Sequence, residues 1–237
     1  MRLHRFLALA GVASRRKCEQ LIAAGRISVN GSVMRTLGTS VNPEHDSVTL
    51  DGEHVTIEQK VYVLIHKPQG YLTSVTDARG RHTVSELVST LPVRLYPVGR
   101  LDMDTEGVLL MTNDGELCHR LTHPRFGVEK TYHAEVLGKP STEALEKLRT
   151  GVDIRNGKTS PARVKLLKVG REQSTLEIII HEGRKRQVKR MCKAIGHPVV
   201  RLKRVEFGGI RLGNLTPGSY RLLSPSEVAS LKKTAGL

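Results

Sequence analysis

The sequence predicts an α+β chain, a small α/β unit followed by a larger one built on a mixed, largely antiparallel central sheet. Three observations carry this. Leu3, Phe6, Leu7 and Ala10 recur at helical spacing, and a second helical stretch follows them. Asn30-Gly31 and Asp51-Gly52 are hairpin dipeptides, because a two-residue turn that matches strand twist needs both central residues at positive φ. Beyond Val61, strand and helix patterns do not alternate strictly, which argues against a doubly wound parallel sheet.

In the first unit Gly11 stops the first helix, and Ser14 is an N-cap for a second whose inner face is Cys18, Leu21 and Ile22, closed by Gly25. Ile27 to Val29 and Ser32 to Met34 make one hairpin; Val48 to Leu50 and Val55 to Ile57 make another. In the second unit, strands are expected over 61–65, 108–112, 131–136, 163–169 and 175–180, and helices over 84–89, 142–150 and 186–195. Thr83 with Glu86, and Ser224 with Glu227, have capping-box spacing and mark helices at 84 and 225.

Composition narrows the function classes. The 237 residues carry 38 Lys plus Arg against 23 Asp plus Glu, a formal charge of +15. That exceeds the magnitude of roughly 2–8 that solubility asks of a small domain. A polyanion is the expected partner, and nucleic acid fits better than a membrane because the cations are not gathered on one amphipathic helix. Arg15, Arg16 and Lys17 fill the first turn of the second helix, where the macrodipole favours anions, so a phosphate backbone is expected there, with Arg26 close by in sequence. Aromatic residues are only 3%, which disfavours grip by rows of stacked bases. No run reaches membrane-spanning length, the N-terminus does not read as a signal peptide, and a cytoplasmic monomer is expected. Cys18, Cys118 and Cys192 are widely spaced and suggest neither disulfides nor zinc. With no G-x-G-x-x-G and no Walker loop, no nucleotide cofactor is expected.

Residues 98–117, VGRLDMDTEGVLLMTNDGEL, place five acids in a basic protein: Asp102, Asp104, Glu106, Asp114 and Glu116. A calcium loop would need a bidentate Glu at its twelfth position, which is Asn113, and an exit helix where a strand is expected. Two readings stay open on residue chemistry alone. Acids in turns balance neighbouring arginines, or Asp102, held between an apolar stretch at 95–98 and the strand at 108, is a positioned carboxylate for attack or proton abstraction.

G-R-L-D at 99–102, followed by T-x-G-V-L-L-x-T-N-D-G at 105–115, resembles the catalytic motif of the pseudouridine synthases, in the branch that holds ribosomal small subunit synthase A and large subunit synthases B, E and F. His66-Lys67-Pro68-Gln69-Gly70 is similar to that family's K-P-x-G motif, Lys130-Thr131-Tyr132 to its K-x-Y motif, and residues 182–191, EGRKRQVKRM, to its basic helix. The first 58 residues, with SRR opening the second helix and GRISVNG after it, resemble the S4-like RNA-binding domain. The resemblance implies an S4-like domain at 1–58 and a catalytic domain of pseudouridine synthase fold at 61–237. It further implies isomerisation of uridine in ribosomal RNA without metal or cofactor, with Asp102 acting on the ribose and Tyr132 covering the flipped base. The segments around 67–88, 121–132 and 181–191 are most similar to large-subunit members, which implies large-subunit RNA as target; small-subunit RNA is the alternative. A ribosome assembly factor that binds RNA without chemistry is the rival class, disfavoured because a pure binder has no need of a carboxylate facing a polyanion.

Residues 186–195 read as an amphipathic helix with an apolar stripe of Val188, Met191, Cys192 and Ile195. Lys189 borders the stripe. The resemblance implies that it pairs with Asp102 and favours the carboxylate form, with Arg184 as second candidate for that cation. Lys67, Arg100, Lys130, Arg184, Arg186 and Arg190 are expected to contact RNA.

Overall fold

The computed structural model describes residues 1–155 and 157–237, which divide into two units. The first spans Met1–Val61 with Leu91–Arg94 and Asn113–Gly115. Helices α1 (Leu3–Leu9) and α2 (Arg15–Ala23) pack on a four-stranded antiparallel sheet of order β2-β1-β3-β4, formed by β1 (Ile27–Val29), β2 (Ser32–Met34), β3 (Val48–Leu50) and β4 (Glu53–His54). Leu3, Phe6, Leu7, Cys18, Ile22, Ile27 and Val48 form its core. Ser14 caps α2 by accepting from the Lys17 amide at 3.3 Å. Both turns have the expected positive φ, at Asn30 and Gly31 and at Asp51 and Gly52. The second hairpin differs from expectation in its partner strand, which is Glu53–His54 and not 55–57. A two-residue turn forces Leu50 to face Glu53.

The second unit is a sheet of nine strands with helices about it. In chain order it contains β5 (Tyr62–Lys67), β6 (Tyr96–Val98), β7 (Glu106–Thr112), α3 (Gly115–Thr122), β8 (Lys130–Leu137), α4 (Thr142–Thr150), the small hairpin β9 (Asp153–Ile154) and β10 (Gly157–Lys158), then β11 (Arg163–Val169), β12 (Gln173–Ile180), α5 (Gln187–Ala194), β13 (Val199–Phe207), β14 (Ile210–Arg211), β15 (Tyr220–Leu222) and α6 (Pro225–Thr234). The strand order is β11-β12-β8-β13-β7-β5-β15, with β14 beside β13 and β6 beside β7. β13 and β7 run parallel and the other named pairs antiparallel, so the expected mixed, largely antiparallel sheet is what forms. All seven residues of β7 are buried, as befits a central strand covered on both faces.

Ser224 and Glu227 form the full capping box of α6. Thr83 and Glu86 bond as expected, through the Thr83 amide at 2.7 Å, but they introduce a single 3₁₀ turn, Glu86–Val88, and not an α-helix. Several elements go unread in the sequence: α3, β13 and β15, and the short strands β6, β9, β10 and β14. Among the described residues no helix is long and apolar enough to cross a membrane. Cys192 lies fully buried, and burial pushes its thiol up to about 12, the behaviour of an inert packing residue.

Candidate active site

Asp102 sits on the loop between β6 and β7, residues 99–105, whose backbone is tied down almost atom by atom. Gly99 adopts φ +73, the left-handed region that lets the chain leave β6 sharply. The Thr73 hydroxyl donates to the Leu101 carbonyl at 2.7 Å and accepts from the Leu101 amide at 3.1 Å. The Gly70 amide donates to the Met103 carbonyl at 2.8 Å, and the Thr105 amide closes a turn on the Asp102 carbonyl at 3.0 Å. Beneath the loop the Lys67 ammonium donates to the carbonyls of Thr105 at 2.9 Å, Pro68 at 3.0 Å and Asp102 at 3.1 Å. The loop is therefore fixed by its main chain, leaving the half-buried Asp102 side chain uninvolved in holding it.

This changes the reading of Lys67. Its side chain is fully buried, so it does not reach RNA; it is the clamp under the loop that carries Asp102. Burial lowers its pKa from the ordinary lysine value to about 8, against the pull of Asp104 and Asp102. The folded state thus gives up this proton before the unfolded state does. Between about 8 and 10.5 the unfolded chain binds more protons, and raising the pH through that window stabilises the fold, by ~3 kcal/mol for the whole shift. We expect urea unfolding of the wild type to show this gain between pH 7.5 and about 10, and the Lys67→Met variant to lack that share of it. An identical pH slope in the two proteins would remove Lys67 as its source.

A cavity of about 510 Å³ opens over the loop. Arg100, Asp102 and Thr105 line one side, Lys130 and Tyr132 of β8 and Leu202, Arg204 and Phe207 of β13 line the sheet side, and residues 183–188, leading into α5, line a third. Tyr132 lies directly opposite Arg204 across the β8–β13 ladder, so their side chains share a face. Lys130, two residues along β8, shares it as well. Lys130 is buried: its ammonium donates to the carbonyls of Val128 at 2.8 Å and His181 at 3.2 Å. Burial, and secondarily the charge of Arg204, push it down to about 8. Lys130 is thus an interior group of the cleft, not a surface phosphate contact.

The expected pair of Asp102 and Lys189 does not form. The Lys189 ammonium lies 2.7 Å from the Asp104 carboxylate, and Arg186 reaches the same carboxylate at 3.1 Å. Burial opposes the charge on Asp104, but its hydrogen bonds and proximity to Lys189 and Arg186 outweigh that and hold its carboxyl below the usual range. Asp104 wins Lys189 because it is the acid of the turn that also meets Arg186, whose φ of +54 brings its backbone round at the start of α5. Arg184, the second candidate, donates to Glu182 at 3.0 Å and to the Gly157 carbonyl at 3.0 Å. Glu106 is bound by Arg201 at 2.9 Å, with Lys203 at 3.8 Å. Asp104 and Glu106 therefore serve separate ion pairs and not one calcium cage.

The remaining candidates divide between the units. Arg100 is exposed at the cleft, and Arg190 is half-buried on α5. Arg15, Arg16 and Lys17 are exposed on the first turn of α2, Arg15 also meeting His4 at 2.9 Å. Arg26 forms a forked ion pair with Asp51. Thr73 and Arg204 were not singled out in the sequence; Thr105 and Gly107 entered only as positions of the motif at 105–115. The signal for Arg204 was available: Leu202, Arg204 and the following apolar residues lie in a strand whose basic positions disguise its alternation.

The RNA pseudouridylate synthase family model matches residues 61–194, the stretch that carries the clamp, the loop, Tyr132 and α5. The chain belongs to that family. The S4 domain model matches residues 1–48. The synthase is 45% identical over 236 residues to ribosomal large subunit pseudouridine synthase B of Bacillus subtilis, covering 99% of this chain and 96% of that one. It is 46% identical over 238 residues to an uncharacterized RNA pseudouridine synthase of Aquifex aeolicus, covering 100% and 96%. Among solved structures, a pseudouridylate synthase crystal structure superposes with a TM-score of 0.70 at 30% identity, over 98% of this chain and 99% of that one. The synthase therefore catalyses the isomerisation of uridine to pseudouridine in RNA.

Proposed function

We propose that the synthase modifies one uridine of large-subunit ribosomal RNA, with Asp102 as its catalytic carboxylate and residues 1–58 and 61–237 as RNA-holding and catalytic parts. The observation that carries the reading is Asp102 itself: a carboxylate with no hydrogen bond or ion pair of its own in the loop, on a loop locked by its main chain, in a cleft whose other charged lining residues are all cations. A positioned carboxylate is what breaking the bond between base and ribose requires, acting on the sugar as nucleophile or as base. The target nucleotide leaves its stack to enter the cleft, and Tyr132 covers its base. Arg100, Arg184, Arg186 and Arg190 take the phosphates beside it, and Arg15, Arg16 and Lys17, on the capped start of α2, take a stretch of backbone. We take the synthase to act as a monomer. We place it in the cytoplasm, where ribosomal RNA is the abundant polyanion.

The large-subunit assignment rests on the Bacillus relative's name and full-length similarity. It is tested by incubating the purified synthase with unmodified large- and small-subunit RNA and mapping pseudouridine by reverse transcription. One new site in large-subunit RNA is expected; a site only in small-subunit RNA overturns the assignment, and none in either overturns ribosomal RNA as substrate.

Lys189 enters this reading as a positioning residue, holding the loop that carries Asp102 to α5 through Asp104. We expect Lys189→Ala to bind RNA nearly normally and to lower kcat about 10- to 100-fold, since small misplacements of reacting groups have effects of that size. Asp104→Asn should match it, and the double variant should be no slower than either single one. Additive losses would show that Lys189 acts by another route, and an equal loss of RNA affinity would make it a phosphate contact.

A further inference from the structure

Arg204 is a charge without an evident purpose in the fold. Its side chain is 2% exposed and lines the catalytic cleft. Its Nε donates to the Val108 carbonyl at 2.7 Å, while Nη2 is buried with no acceptor. Lys130 lines the same wall, and both cations stand over the ring of Phe207, Arg204 at 4.8 Å and Lys130 at 5.6 Å from its centroid. Neither is paired with a carboxylate among the described residues. Two buried like charges side by side, one with a donor left over, are unfavourable unless an anion joins them. A surface phosphate contact is not this deep, and the cross-strand neighbour of Arg204 is Tyr132, the residue assigned to the base.

We infer that Arg204, seconded by Lys130, is the subsite that binds the uracil base in its detached, anionic form. The inference rests on the reading that uridine is isomerised at this cleft. When the bond from ribose C1′ to N1 breaks, its electron pair leaves on the base. The resulting uracil monoanion spreads its charge over N1, O2 and O4, so the oxygens are its strongest acceptors. The base turns, C5 uses an electron pair to bond C1′, the proton on C5 departs to solvent and N1 takes one up. Atoms and electrons balance with no oxidant or reductant. Throughout the turn the base has lost its covalent tether and must be kept from escaping. Donors aimed at where charge develops hold it more tightly detached than attached. Lys130, whose pKa burial brings down to about 8, is a cation able to yield or accept a proton near neutral pH at that wall.

The test is binding of free bases, measured by ligand-observed NMR on the full chain with uracil and with 5-nitrouracil, an analogue that is an anion at neutral pH. The wild type is expected to bind 5-nitrouracil at least tenfold more tightly than uracil. Arg204→Met should reduce that preference below threefold, Lys130→Met should reduce it in part, and Asp102→Asn should preserve it. Should Arg204→Met fail to fold, Arg204→Lys, which keeps the charge but not the forked donors, takes its place and should weaken the preference. No preference in the wild type, or a preference unchanged in both the Arg204 and Lys130 variants, overturns the inference. Because Asp102→Asn is read by base binding and separately by turnover, an active Asp102→Asn protein that keeps the preference would sink the assignment of Asp102 and leave the subsite standing.

Discussion

Asp102→Asn is expected to abolish pseudouridine formation, by roughly 10⁴-fold or more in single-turnover rate, the scale seen when the reacting group itself is removed. The amide is nearly isosteric with the carboxylate, and nothing in the loop depends on the carboxylate for its shape. Lys67 holds the Asp102 carbonyl, Thr73 the Leu101 main chain and Gly70 the Met103 carbonyl. The variant should therefore unfold within about 0.5 kcal/mol of the wild type, as substitutions away from structural contacts do. Its affinity for RNA should not fall, because removing a negative charge that faces a polyanion relieves repulsion. The decisive pattern is this dissociation: chemistry lost, fold and binding kept. Substantial residual turnover would mean that the carboxylate is not the reacting group. Loss of fold together with activity would mean that Asp102 does structural work that its contacts do not reveal.

The loop around Asp102 was legible in sequence because its determinants are local. Gly99 supplies the turn out of the apolar stretch at 95–98 and the apolar run from Val108 marks the next strand, so Asp102 had to lie on the connection between them. The hairpins were legible for the same reason, their Asn-Gly and Asp-Gly turns carrying their own backbone preference. What was not legible depends on partners distant in sequence. Asp102 and Asp104 differ by two positions on one turn, and only the placement of α5 decides that Lys189 meets the second of them. Lys67 and Lys130 read as surface cations because lysine usually is one, but Lys67, last in β5, and Lys130, first in β8, lie buried, where the nearest carbonyls become their partners. β13 was missed because its basic residues obscure the alternation, although a buried one is among its most informative.

The family motif also contains a glycine whose role the structure makes quantitative. Gly107 faces Lys67 on β5 and Arg204 on β13, at φ +115. A Cβ there would stand 2.1 Å from the Arg204 carbonyl oxygen and 2.7 Å from its amide nitrogen, both backbone atoms that no rotamer change can move. Gly107→Ala therefore combines a strained backbone, about 1–3 kcal/mol, with overpacking of similar size against a main chain in the middle of the sheet. We expect a loss of about 4 kcal/mol or more in urea unfolding, enough to unfold a marginal domain. Gly209, in the turn from β13 to β14, is the control. It too has positive φ, at +85, but a Cβ there meets nothing within 4 Å. Gly209→Ala should cost only the conformational part, about 1–2 kcal/mol. If the two substitutions cost the same, the close approach of β13 to β7 is not what selects glycine at 107. If Gly107→Ala is the worse by the margin expected, the glycine two residues before Leu109 is there to let Arg204 and its strand come close enough to wall the cleft.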